Sequence, residues 1–162
     1  MLYYLTVTLH VLAALVWLGG MIFFATVSPI LRRIEDDATR QWIFQKAGER
    51  LRTVGWICIG VLVATGIAQL HFRGWWGMAV WGSTAFWTSR PGHTLAAKLS
   101  LVVAMLVIQA VHDLVVGPKA GRVHPGTAQA RRLRRRAALL ARWNTVLGLV
   151  LIYFAVRLAR GG

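Results

Sequence analysis

Four side chains lie where ionisable groups are costly. His10, Lys98 and His112 each sit inside a long apolar stretch, and Asp113 follows His112 directly. An ionisable residue within an apolar span is rare and marks a candidate functional position. Imidazole is a general ligand for transition metals, thioether sulfur suits soft ions, and an axial histidine can hold haem iron. Each residue also has a plainer reading. His10 can hydrogen-bond a neighbouring helix, Lys98 can extend to the nearer surface, and His112–Asp113 can pair with arginines at a helix end. Methionines such as Met21, Met78 and Met105 mostly fill space, and the lone Cys58 reads as a small buried hydrophobe.

Helical geometry groups these residues. At about 100° per residue, positions 7 and 11 apart share one face. His10, Trp17 and Met21 form one stripe, Cys58, Thr65 and Gln69 a second, and Lys98, Met105, Gln109 and His112 a third. Hydrocarbon cannot satisfy polar groups, so all three stripes should face the interior of a bundle. With a rise of about 1.5 Å per residue, His10 lies roughly 12 Å and Lys98 roughly 6 Å below the outer surface, and His112 roughly 27 Å below it. An outer layer of His10, Lys98, Thr65 and Gln69 is expected, with His71 and His93 above it. An inner layer should hold His112, Asp113, Met21 and Asn144.

The elements that position these residues follow from composition. The chain has 162 residues, 57% hydrophobic and only 15% charged, with one cysteine. Soluble domains have about 25% charged residues. The apolar content excludes a disordered chain, and a single cysteine excludes an internal disulfide. Four membrane spans fit, at residues 2–31, 53–72, 94–116 and 143–158. The expected fold is an all-α, four-transmembrane-helix bundle forming one domain. The first stretch is too long for the apolar core of a signal peptide and no basic residue precedes it, so it reads as a retained span. Residues 32–52 should include a cytosolic extension of the second helix, and Gly117-Pro118 reads as the stop of the third. Gly19, Gly20, Gly55, Gly60 and Gly66 read as small contact residues between helices.

The net charge of +14 would suggest nucleic acid in a soluble domain. Here the basic residues flank the spans, so nucleic-acid binding is not expected. Loops 32–52 and 119–142 hold six and eight Lys and Arg, whereas residues 73–93 and the C-terminal tail hold two each. The positive-inside bias places both basic loops in the cytoplasm and both termini outside. Trp75, Trp76, Trp81 and Trp87 then read as outer-interface anchors. Arg131, Arg132, Arg134, Arg135 and Arg136 read as a topology determinant in contact with anionic lipid. His124 reads as a loop residue.

Three segments carry a family resemblance. The first span reads LHVLAALVWLGGMIFF, the third AAKLSLVVAMLVIQAVHDLVVGP, and the end ARWNTVLGLVLIYFAVRLARG. Together they resemble the copper-resistance D (CopD) domain family of bacterial inner-membrane proteins. The resemblance implies an inner-membrane protein of copper homeostasis, binding or transporting copper, with His10, His112, Met21 and Met105 as candidate ligands. Gln69, Thr65, Gln109, Asp113 and Asn144 are the further polar residues within the spans. A homo-oligomer or a periplasmic copper partner would fit such a protein. His10 and Lys98 are also similar to the HemJ-type protoporphyrinogen oxidases, which implies haem b at those two residues and an oxidoreductase as the alternative. A third reading is a non-catalytic accessory subunit. No Ser-His-Asp set, phosphate loop or carboxylate pair lies within the spans, which argues against hydrolysis and favours a transporter or binding protein over an enzyme.

Overall fold

A computed structural model describes residues 1–123 and 127–161. His124 lies outside the described residues. Four helices are long and apolar enough to cross a membrane. They are α1 (Leu2–Leu31), α2 (Asp37–Phe72), the continuous helical stretch Arg90–Arg122, and the last helix, Ala128–Ala159. The first matches its expected bounds. The second begins sixteen residues before the expected span at 53, so the expected helical extension is present. The fourth starts at Ala128, fifteen residues before the expected 143. No strand occurs among the described residues.

Local signals explain the starts. Asp36 caps α2 by accepting from the Thr39 N–H at 2.9 Å. Those hydrogen bonds hold its carboxyl below the usual carboxylate value. Two short helices, α3 (Met78–Trp81) and α4 (Thr84–Thr88), carry Trp81 and Trp87. Ser89 caps α5 (Arg90–Ala110), accepting from Gly92 N–H at 3.2 Å, with Pro91 in the first turn where its missing N–H costs nothing. A π-helical turn, Val111–Val116, continues α5, and α6 (Gly117–Arg122) continues that. Thr127 caps α7 (Ala128–Ala159) through the Ala130 N–H at 3.1 Å.

The expected stop at Gly117-Pro118 is not one. Pro118 sits in the first turn of α6, where proline is tolerated, and the turn before it absorbs the misfit by widening.

The chain divides into two compact units, Met1–Val80 and Trp81–Gly162. In the first, α1 and α2 form an antiparallel hairpin. Its register is visible in paired contacts down its length. Tyr3 meets Phe72 edge-on at 6.0 Å, His10 bonds Thr65, and Phe24 meets Phe44 at 5.9 Å. Glycines let the helices approach. A Cβ at Gly55 would touch the Trp17 ring at 3.7 Å, and one at Gly20 would press on Leu51 at 3.2 Å. Gly19 and Gly60, expected to serve the same purpose, have open space beside them among the described residues. Ala13, Trp17, Leu18, Cys58 and Ile59 are buried.

In the second unit α5 packs on α7. Leu95, Met105, Asn144 and Leu158 are buried, and Gly148 gives α7 a small buried position. α4 folds onto the start of α5. There Gly92 leaves room that no other residue leaves: an added Cβ would collide with the carbonyl oxygen of Phe86. Backbone cannot yield as a side chain can, so Gly92→Ala should cost about 3 kcal/mol, the upper end for overpacking. Thermal unfolding in detergent would measure it, with exposed Ser100→Ala as the neutral control. A loss indistinguishable from that control would contradict the packing.

Candidate functional site

Each unit buries one histidine-centred polar group. In the first, His10 Nδ1 lies 2.8 Å from Thr65 Oγ1. The Thr65 hydroxyl has one proton, and it goes to the Val61 carbonyl at 2.6 Å. With its proton on that carbonyl, Thr65 accepts from the imidazole. In that arrangement His10 donates from Nδ1. Thr65 itself is buried. The expected layer partners His10 and Thr65 thus meet. A Cβ at Gly66 would reach His10 Cε1 at 3.6 Å, so α2 flanks the ring with backbone. Gln69, one turn further along α2, has a buried Nε2 with no hydrogen-bond partner among the described residues.

The second group is a chain of hydrogen bonds across α5, the π-turn and α7. Asn144 Nδ2 donates to Gln109 Oε1 at 2.6 Å. Gln109 Nε2 donates to Asp113 Oδ2 at 2.6 Å. His112 Nδ1 donates to the other carboxylate oxygen, Oδ1, at 2.7 Å. Asp113 is only 5% exposed and Asn144 2%. A buried carboxylate is tolerated when both oxygens accept from fixed donors, and this one does so on both sides. His112 and His10 thus each engage a protein acceptor through Nδ1. Carboxylate–histidine pairs of this kind orient metal-ligating imidazoles and raise their basicity. Asn144 Oδ1, at the far end of the chain, is buried without a hydrogen-bond partner among the described residues.

The π-turn carries both His112 and Asp113. Its widened geometry is closed by the Gly117 N–H bonding the His112 carbonyl, five residues back. A Cβ at Gly117 would lie 3.1 Å from that same oxygen, so glycine suits the turn. Single π-turns inside α-helices are frequent at functional sites.

The other expected residues fall as follows. Met105 is buried on α5, seven residues and about 10 Å of helix from His112, too far to share an ion. Met21 is partly buried on α1, eleven residues and about 16 Å from His10. Lys98 is partly buried on α5. His71 and His93 are exposed, at the end of α2 and the start of α5. No group of three His, Cys, Asp or Glu able to hold a metal ion occurs among the described residues. The π-turn is the feature of the site that sequence reasoning missed.

A family model described as Copper resistance protein D matches residues 45–158. The chain belongs to that family. The match includes Thr65, Gln109, His112, Asp113 and Asn144, and it begins after α1, so His10 lies outside it. An uncharacterized protein of Aquifex aeolicus (strain VF5) is 28% identical over 155 residues, which cover 94% of this chain and 92% of that protein. No solved structure matches. With four apolar helices, this CopD chain is a multi-pass membrane protein. Neither match carries support for haem.

The Asn144–Gln109 bond joins α7 to α5, so it should be measurable as a coupling. Asn144→Leu and Gln109→Leu should each destabilise this CopD protein. The double variant should lose less than their sum, by about 1 kcal/mol, within the range of interhelical bonds in membranes. Denaturation in mixed micelles would measure the cycle. Strict additivity would mean that the two amides do not interact.

Proposed function

We propose that this protein binds copper ions within the bacterial inner membrane and moves them across it, with His112 and His10 as imidazole ligands. The observation that carries the reading is the commitment of each Nδ1 to a fixed acceptor, Asp113 for His112 and Thr65 for His10. A free imidazole samples two tautomers and many ring orientations. Here one tautomer is selected before any ion arrives, so little ordering cost remains for binding. Imidazole binds copper in either common oxidation state, and the family description supports copper as the cargo. Each unit contributes its own station. Met21 and Met105 remain candidate thioether ligands in this proposal, acting with groups from other helices rather than with the histidine of their own.

The role of Asp113 follows from the same chemistry. It keeps His112 oriented and makes Nε2 a better donor. The basic loops 32–52 and 119–142 support a cytoplasmic position for those segments and an outer position for both termini.

Copper accumulation in cells producing the protein, normalised to its abundance in the membrane, tests the proposal. The His10→Ala, His112→Ala double variant should abolish the protein-dependent change in copper content. Asp113→Asn should weaken copper binding by about 10- to 100-fold, the usual effect of losing such a supporting carboxylate. His93→Ala, at an exposed position, should behave as wild type. Full retention of copper handling in the double variant would refute the assignment.

A further inference from the structure

We propose that the outward face of α7 holds an acidic phospholipid, its phosphate on Arg135 and Arg142 beside Leu139 and its chain along Trp143 and Val146. The argument begins with length. Between Arg142 and Arg157 the helix has fourteen uncharged residues, Trp143–Val156, spanning about 21 Å. The hydrocarbon core is about 30 Å thick. Helix α7 therefore cannot cross with both arginines far outside the core, and Arg142 sits where acyl chains meet headgroups. Trp143, 60% exposed beside it, suits the same level.

The face has two zones. Leu139, Arg142, Trp143 and Val146 stand at i, i+3, i+4 and i+7 and line one open groove. One and two turns nearer the start of α7, Arg131, Arg132, Arg135 and Arg136 continue the same face, all exposed. Together these residues cover an arc of about 140° at 100° per residue. The opposite side of α7, with Ala130, Asn144 and Gly148, is the buried one. Guanidinium zone above apolar groove is the complement of an acidic phospholipid.

Charge fixes the ligand class. From Leu114 to the end the chain has no Asp or Glu, while residues 119–142 carry eight Lys and Arg. No carboxylate lies within this segment, so the face is strongly cationic and complementary to an anion. Guanidinium binds phosphate through paired N–H donors, which gives geometry as well as charge. The apolar groove directly below favours an anion that brings a hydrocarbon chain with it.

The test is native mass spectrometry of the full-length protein in detergent, titrated with phosphatidylglycerol. Wild type should retain one phosphatidylglycerol per chain and little phosphatidylcholine. R135Q/R142Q should bind phosphatidylglycerol about 30-fold more weakly, and R142Q alone about fivefold, as expected for removing two charges or one near the surface. The single variant serves if the double fails to fold by circular dichroism. R32Q/R33Q removes the same charge from another basic loop and should bind as wild type. Equal binding by R142Q and wild type would overturn the proposal, as would equal weakening in R32Q/R33Q or equal affinity for phosphatidylcholine. Displacement of the lipid by millimolar inorganic phosphate would mean a phosphate site, and displacement by a polyglutamate peptide would mean an acidic protein partner; either overturns the lipid assignment.

Discussion

Hydrocarbon offers no hydrogen bonds, and that constraint organises this protein. Every polar side chain on a spanning helix must find its partner inside the protein or reach an aqueous surface. The apolar residues of the four long helices answer to this by their number alone. Most of the few polar groups answer by pairing, although Gln69 Nε2 and Asn144 Oδ1 are buried without a hydrogen-bond partner among the described residues. Thr65 meets His10, and Asp113 is enclosed by His112 and Gln109 with Asn144 behind it. In water, such bonds would trade against solvent and contribute little. Within a membrane such bonds act together with small-residue packing in choosing which helix faces meet.

The two histidine groups use different means to the same end. Around His10 the device is a threonine whose hydroxyl also bonds the backbone one turn away. Around His112 it is a carboxylate held on both oxygens. Each engages Nδ1 of the ring with a protein group. The π-turn supports the second device, because it carries His112 and Asp113 and is closed on the His112 carbonyl by a glycine.

Much of this was legible in the residues. The run from Leu2 to Leu31 has no charge, and α1 occupies just those residues. Helical spacing brought Thr65 and His10 to one layer and grouped Gln109 with His112, because a rigid 100° step leaves little choice of face. Two things were not legible. Gly117-Pro118 has the chemistry of a helix end, yet packing carries the helix through it by a π-turn, a tertiary outcome that local rules cannot supply. The Asn144–Gln109 bond depends on the rotation of α7 against α5, which the sequence of α7 alone does not set. The family match adds a contrast: it covers the His112 group and Thr65 but starts after His10.

The central claim is that both intramembrane imidazoles are fixed with Nδ1 protonated and Nε2 presented for copper. Nitrogen-15 NMR of protein labelled at histidine tests it most directly, by reading the protonation of each ring nitrogen before and after addition of Cu(I). The account predicts protonated Nδ1 at His10 and His112, and copper-induced shifts confined to their Nε2 signals, with His71 and His93 unmoved. Protonated Nε2 with bare Nδ1 at either site, or Nε2 signals indifferent to copper, would contradict it.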